Sequence, residues 1–212
     1  DFAGGFPYHA NGISEGLVRL RTATMRLDWK NTSVVAGQDA LFFAPVAPTS
    51  IASLAVPPLS YAGNLWAWTP QVRVEQRITL AENSTLALQV GILDNLTGAS
   101  PSEWSGRYAS WGEQSGHPAF ATRVALGQKI LGQNVTLGFG GFYGRETWGL
   151  KRDLTNAAGT VDLTLPFGKY FGLSGFFYRG QALSSLGGGI GQSVLWSGNI
   201  LDPSTIFHEL KA

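Results

Sequence analysis

Residues 69–94 read TPQVRVEQRITL, AENS and TLALQVGILD, and this stretch decides the fold. Aliphatic side chains recur at every second position of both arms, with Gln76 as the exception: Val72, Val74, Ile78 and Leu80, then Leu86, Leu88, Val90 and Ile92. Polar side chains fill the intervening positions of the first arm: Gln71, Arg73, Glu75 and Arg77. Because side chains alternate across a strand, each arm has one apolar and one polar face. The linking Glu-Asn-Ser suits a tight turn, so the stretch predicts a long β-hairpin.

The length of the two arms indicates where such a hairpin belongs. Arms of roughly ten residues are long for strands of soluble proteins, but they match a tilted strand that crosses a bilayer. The stretch therefore predicts a membrane barrel in which the aliphatic face meets lipid.

The composition narrows the class of protein. The chain has 212 residues, and we expect one domain spanning residues 1–212. Charged residues make up only 14%, against about 25% in ordinary soluble domains. The net charge of +1 gives no basic surface for nucleic acid, and the lack of cysteine excludes disulfides and thiolate metal sites. The apolar runs are too short or too rich in proline for a transmembrane helix.

The connections between the candidate strands alternate between long and short. The long ones are 6–16, 39–68, 95–116, 145–158 and 180–204, and the short ones are 30–32, 81–84, 128–133 and 166–169. Outer-membrane barrels have short turns at one end and longer loops at the other. Most tryptophans fall in the long segments, as in an interfacial aromatic girdle, although they would also suit the core of a soluble β-protein. The pattern predicts an all-β, antiparallel up-and-down transmembrane β-barrel.

A family resemblance follows from the motifs of the first third. Residues 17–29, the sequence VVAGQD at 34–39, Phe43-Ala44-Pro45 and GNLW at 63–66 resemble the DcaP-like outer-membrane porins of Gram-negative bacteria. TPQVRV at 69–74 is similar to the arginine-bearing strand of that family. The resemblance is clearest over residues 17–80 and weaker over 117–190. It implies a homotrimer of sixteen-stranded barrels that pass small, often anionic solutes.

Two features of a complete family member are missing from the sequence. The chain has no signal peptide and no aromatic-terminated final strand, and it begins inside a strand. We therefore expect a fragment of a larger barrel, truncated at both ends and holding about ten strand segments.

Charged side chains within the alternating strands are the candidate functional residues. An arginine facing lipid at the bilayer midplane costs roughly 2–4 kcal/mol, so these side chains must face a wet lumen or pair there. The predicted pore-lining residues are Arg19, Arg21, Gln71, Arg73, Glu75, Arg77, Gln89 and Arg123. A surplus of arginine over Glu75 and Asp162 favours anions, carried mainly by Arg73 and Arg77. The alternative is that Glu75 neutralises both arginines and braces the wall.

The sequence thus predicts a porin for passive diffusion, with the bacterial outer membrane and small solutes as partners. We expect no catalytic residues, metal, cofactor or nucleic acid. Two alternatives stay open: a secreted β-sandwich that binds carbohydrate through loop tryptophans, and an outer-membrane β-barrel enzyme. Ser115, His117 and Asp94 are the one imaginable catalytic trio, and such a trio arises readily by chance.

Overall fold

The computed structural model describes residues 21–47, 63–97, 102–103, 106–107, 109–186, 193–199 and 201–209. Arg19 lies outside these residues. The first strands are β1 (Ala23–Asp28), β2 (Thr32–Ala40), β3 (Trp68–Ala81), β4 (Ser84–Leu93), β5 (Ser102–Glu103) and β6 (Gly106–Arg107). After helix α1 (Trp111–Gln114) come β7 (Ala119–Ile130), β8 (Gln133–Trp148), β9 (Arg152–Phe167), β10 (Phe171–Gln181), β11 (Val194–Ser197) and β12 (Ile206–Glu209). The expectation of an all-β chain is confirmed.

Eight of the strands form one antiparallel up-and-down sheet. Its order is β1-β2-β3-β4-β7-β8-β9-β10, and each strand pairs with the next long strand along the chain. The sheet is not closed among the described residues, because β1 and β10 are its two edges. No helix among these residues is long and apolar enough to cross a membrane.

The connections emerge at opposite ends of the sheet, as antiparallel pairing requires. The turns at 29–31, 82–83, 131–132 and 168–170 lie at one end, here called the short-turn end. The strand ends from which connections 41–67, 94–118 and 182–193 leave the sheet lie at the other, the long-connection end. The predicted segregation of long connections is confirmed for these three.

Two predicted loops are wrong. Residues 145–158 do not form a loop: β8 and β9 run through them and turn at Gly149–Lys151, where Leu150 and Lys151 have positive φ. Residues 180–204 contain β11, which pairs with β12 in a separate two-stranded sheet. β12 therefore does not extend the main sheet within the described residues.

One face of the main sheet is an apolar band, here called the apolar face. A single row crosses five strands as Leu88, Val124, Phe139, Val161 and Phe177. Val124, Phe139, Val161 and Phe177 in this row are exposed, and Leu88 is half-buried. The aliphatic residues that the hairpin pattern predicts for this face are all exposed or half-buried, and so are those that continue the band on β8 and β9: Val72, Val74, Leu86, Leu88 and Val90, then Val135, Leu137, Val161 and Leu163.

The opposite face, here called the polar face, is the buried one. Segment 41–44 lies across it, with Phe43 fully buried and stacked on Phe142 at 5.1 Å between ring centroids. Thr160 donates a hydrogen bond to the Phe43 carbonyl at 2.6 Å. The segment can approach this closely because Gly140 lies beneath it: a Cβ there would stand 2.3 Å from the Phe43 oxygen. The apolar core therefore lies between the polar face of the sheet and the connections that fold over that face.

Candidate functional site

The charged side chains of the polar face, here called the charged patch, form one group around Arg73 and Glu75 and a separate Arg123–Asp162 pair. The charged patch contains Arg26 and Asp28 of β1, Asp39 of β2, Arg73, Glu75 and Arg77 of β3, Arg123 of β7 and Asp162 of β9. Four arginines and four carboxylates balance in formal charge. Gln71, Ser33 and Gln89 supply hydrogen bonds between them.

Arg73 is the most enclosed member of the charged patch. Its guanidinium forms ion pairs with Asp39 and Glu75, both at 2.8 Å, and donates to the Gln71 side-chain oxygen at 3.0 Å. The Phe42 ring lies over it at 5.7 Å. Gly91 on the next strand leaves room for it, since a Cβ there would stand 2.8 Å from the Arg73 Cβ. Arg73 therefore links β3 to segment 41–44, and its guanidinium is engaged by protein groups.

Glu75 of β3 contacts side chains of both β1 and β4. Besides its ion pair with Arg73, it forms an ion pair with Arg26 at 2.9 Å and accepts a hydrogen bond from Gln89 at 3.0 Å. The brace that the sequence left as an alternative is thus present at Glu75. It neutralises Arg73 and Arg26, however, and not Arg77.

Arg77 differs from the other arginines of the charged patch. It is exposed near the short-turn end and donates to the Ser33 hydroxyl at 3.3 Å. Within the described part of the chain it forms no ion pair, whereas Arg26, Arg73 and Arg123 each form at least one. Its charge is therefore the one most available to solvent.

Arg123 and Asp162 form a buried ion pair that reaches over an intervening strand. The guanidinium binds both carboxylate oxygens, at 2.6 and 3.0 Å, and the two side chains are 11% and 2% exposed. Between them on β8 lies Gly138, where a Cβ would stand 2.3 Å from Asp162 and 2.5 Å from Arg123. Glycine is required there because any side chain would separate the pair.

The predicted site residues are thus largely brought together. Gln71, Arg73, Glu75, Arg77, Gln89 and Arg123 share the polar face. Arg21 does not join them: its guanidinium lies 4.7 Å from the ring of Trp68, whose parity is that of Val72 on the apolar face. Arg26, Asp28 and Asp39 were not identified from the sequence as members of this site. Their position follows from the pairing of β1 with β2 and of β2 with β3, which puts them on the same face as the charged residues of β3.

A second polar group lies on the same face near the long-connection end, here called the carboxyl cluster. It contains Glu146, Thr97, Asn95, Asn156, Ser184 and Ser193, all at most 2% exposed. Burial raises the pKa of the Glu146 carboxyl, against hydrogen bonds from Ser193 and Trp148 that lower it. Nothing in the local alternation signals this cluster, because its members come from strands and connections far apart in sequence.

The catalytic trio imagined from the sequence is held by backbone contacts. The Ser115 hydroxyl donates to the Gly112 carbonyl at 2.6 Å and accepts the His117 backbone N–H at 3.2 Å. Ser115 therefore completes the end of α1. Asp94 and His117 line a shallow groove of about 650 Å³ at the long-connection end, whose floor includes Val72 and Ile92.

No family model, curated protein or solved structure matches the chain. The inference of function therefore depends on the geometry of the two faces.

Proposed function

We propose that this sheet is part of the wall of a transmembrane β-barrel, a porin of the bacterial outer membrane for passive diffusion of small polar solutes. One observation carries the proposal: the sheet exposes aliphatic side chains on one face and buries charged ones on the other. Val90 is 60% exposed while Asp162 is 2% exposed. Water would favour the reverse arrangement, whereas a lipid environment around a polar lumen favours this one.

The height of the apolar band supports the proposal. On β3 the band runs from Val72 to Leu80, which is about 26 Å along an extended chain. With the strand tilt usual in barrels, this gives a band roughly 20 Å tall, close to the ~25 Å of outer-membrane barrels. Beyond the band, the outward Arg145 and Asp153 pair with each other and are both exposed. Their position suits the membrane surface.

Segment 41–44 gives the proposed lumen a constriction. It packs against the polar face and is held by Thr160 and by Gln71, whose amide donates to the Asp39 and Ala40 carbonyls at 3.1 and 2.9 Å. In a closed barrel this face is the inside, so the segment narrows the passage at a fixed position. Solute size would be selected there.

The proposed charge preference is a weak one for anions, carried by Arg77. The rest of the charged patch is paired, so a solute meets mainly the exposed guanidinium of Arg77. A positive group on the wall of a confined channel raises the local concentration of anions. Arg73, which the sequence placed beside Arg77 in this role, acts as a brace.

Planar-bilayer recording tests both parts of the proposal. The complete protein, purified in detergent, should insert and give stepwise ohmic conductance, with a reversal potential under a salt gradient that shows weak anion preference. Arg77→Glu should shift the reversal potential toward cations. Lys169→Glu, the same change of charge at an exposed turn residue, should shift it less.

Two results would count against the proposal. A protein that stays monomeric and folded without detergent, and gives no conductance, would rule out the porin. Conductance that responds equally to Arg77→Glu and Lys169→Glu would leave the porin standing but remove Arg77 from the selection of anions.

A further inference from the structure

The carboxyl cluster joins the tip of the β8–β9 hairpin to two of the long connections. Glu146 lies on β8 and Asn156 on β9, while Asn95 and Thr97 follow β4 and Ser193 precedes β11. The outward side of this hairpin carries the exposed Arg145–Asp153 pair, so the cluster lies beyond the apolar band.

Glu146 is the side chain that both connections share. The Ser193 hydroxyl donates to its Oε1 at 2.7 Å, and the indole N–H of Trp148 donates to its Oε2 at 2.8 Å. The Thr97 hydroxyl also hydrogen-bonds to this carboxyl. Loss of these contacts would remove the side chain that holds both connections on the hairpin and would leave residues 95–97 with the Asn95 bonds to the Arg145 carbonyl and to Asn156.

The hydrogen bonds at Thr97 require one more proton than the neutral side chains supply. The single Thr97 hydroxyl proton is directed to Asn95 Oδ1 at 2.7 Å, and the Thr97 hydroxyl oxygen accepts a hydrogen bond from the Asn156 amide. It therefore has no second proton to donate to Glu146. A protonated Glu146 resolves this, because its O–H can then donate to the Thr97 oxygen.

Among the residues that the structure describes, no ion pair balances an ionised Glu146. Charged groups of the neighbouring elements have other contacts: Arg152 of β9 donates to the Asp202 carbonyl at 2.8 Å, and Glu113 of α1 accepts from the Ser110 N–H at 2.7 Å. Arg145 pairs with Asp153 on the opposite face. A buried, uncompensated carboxylate is costly, so ionisation favours exposure of the group to water.

We propose that Glu146 is a proton-binding site that controls whether the two long connections are held on the β8–β9 hairpin. With the proton bound, the carboxyl cluster is closed. When the proton leaves, the carboxylate gains hydration by releasing residues 95–97 and 193–194, and the long-connection end opens. This inference does not depend on the sheet forming a pore.

Thiol labelling tests whether ionisation of Glu146 opens the carboxyl cluster. The chain contains no cysteine, so a single introduced cysteine is the only thiol that can react. Val194 is fully buried beside Ser193, so Val194→Cys reports opening of this connection. Its maleimide-labelling rate is compared in the parent chain and with Glu146→Gln, which is neutral and can donate an N–H to Thr97. The ratio of the two rates cancels the ionisation of the thiol itself.

We expect the ratio of rates to be near one at low pH. It should rise by about tenfold for each pH unit between the ordinary range of a glutamate and the raised pKa of the buried carboxyl, and level off above that pKa, because only the open state ionises within this range. A ratio that stays flat from acid to alkaline pH would overturn the proposal. Should Val194→Cys already label rapidly at low pH in both proteins, hydrogen exchange at the Gly112 N–H, which is bonded to the Thr97 carbonyl at 2.9 Å, provides the same comparison. Equal pH profiles of exchange in the parent and Glu146→Gln would be equally decisive against it.

Discussion

At the scale of single residues, the polar face depends on a missing side chain at Gly138. Arg123 and Asp162 come from strands that are not neighbours, and they meet only because β8 presents no Cβ between them. The sequence predicts that Arg123 faces inward, since parity decides that. It does not predict the partner, because pairing across a strand depends on register and on where glycines fall.

We expect Gly138→Ala to lower the free energy of unfolding by about 3 kcal/mol, because separating a buried ion pair leaves a charge without compensation. Gly159→Ala is the matched control: a Cβ there has no atom within 4 Å, so stability should change little. Urea unfolding of both variants in the same detergent provides the comparison. Equal stabilities would mean that the Arg123–Asp162 pair contributes nothing.

The protonation of Glu146 makes a separate prediction about stability. Its pKa is raised in the folded state by burial, so folding takes up a proton there. The stability of the parent relative to Glu146→Gln should therefore be highest below about pH 4, the ordinary range of a glutamate. It should fall by about 1.4 kcal/mol for each pH unit between that ordinary range and the raised pKa, and level off above the raised pKa. Unfolding midpoints of both proteins, measured across this pH range, provide the test. If the two midpoints change with pH in the same way, Glu146 does not bind a proton on folding.

At the scale of elements, the strands with an apolar parity were predictable and the tip of the β8–β9 hairpin was not. Residues 145–158 place Arg145, Asp153 and Thr155 on one side, and Glu146 and Asn156 on the other. The buried side mixes these polar residues with Trp148 and Leu154, so the regular alternation that identifies a strand is lost from the sequence. The backbone remains extended because the ladder continues to Trp148 and Arg152.

Segment 41–44 provides the test of which face is the interior. Phe43→Ala removes a fully buried ring that contacts Phe142, and should lower the free energy of unfolding by about 3–5 kcal/mol. Phe139→Ala, on the same strand as Phe142 but 53% exposed on the apolar face, should cost far less in detergent. Similar losses from both would indicate that both faces of β8 are packed by protein, as in a sandwich.

At the scale of the whole molecule, the two faces and the order of connections were predictable because both follow from period and length. The carboxyl cluster was not, since it joins residues as far apart as Asn95 and Asn156. Such contacts depend on how the connections fold back over the sheet. The charge balance of the charged patch was also missed, because a count by parity on β3 does not include the acids that β1 and β2 bring to it.

The proposed lipid environment makes a prediction that no soluble arrangement shares. Val90→Arg replaces a 60% exposed side chain near the middle of the apolar band, and Ile130→Arg replaces a 50% exposed one near the short-turn end. In a bilayer, arginine costs roughly 2–4 kcal/mol at the midplane and about 0–1 kcal/mol near the interfaces. Assembly into lipid vesicles should therefore be impaired by Val90→Arg and nearly unaffected by Ile130→Arg, as measured by the folded fraction on unheated gels. In a protein whose apolar face meets water, both exposed sites should accept arginine equally, and that result would exclude the membrane.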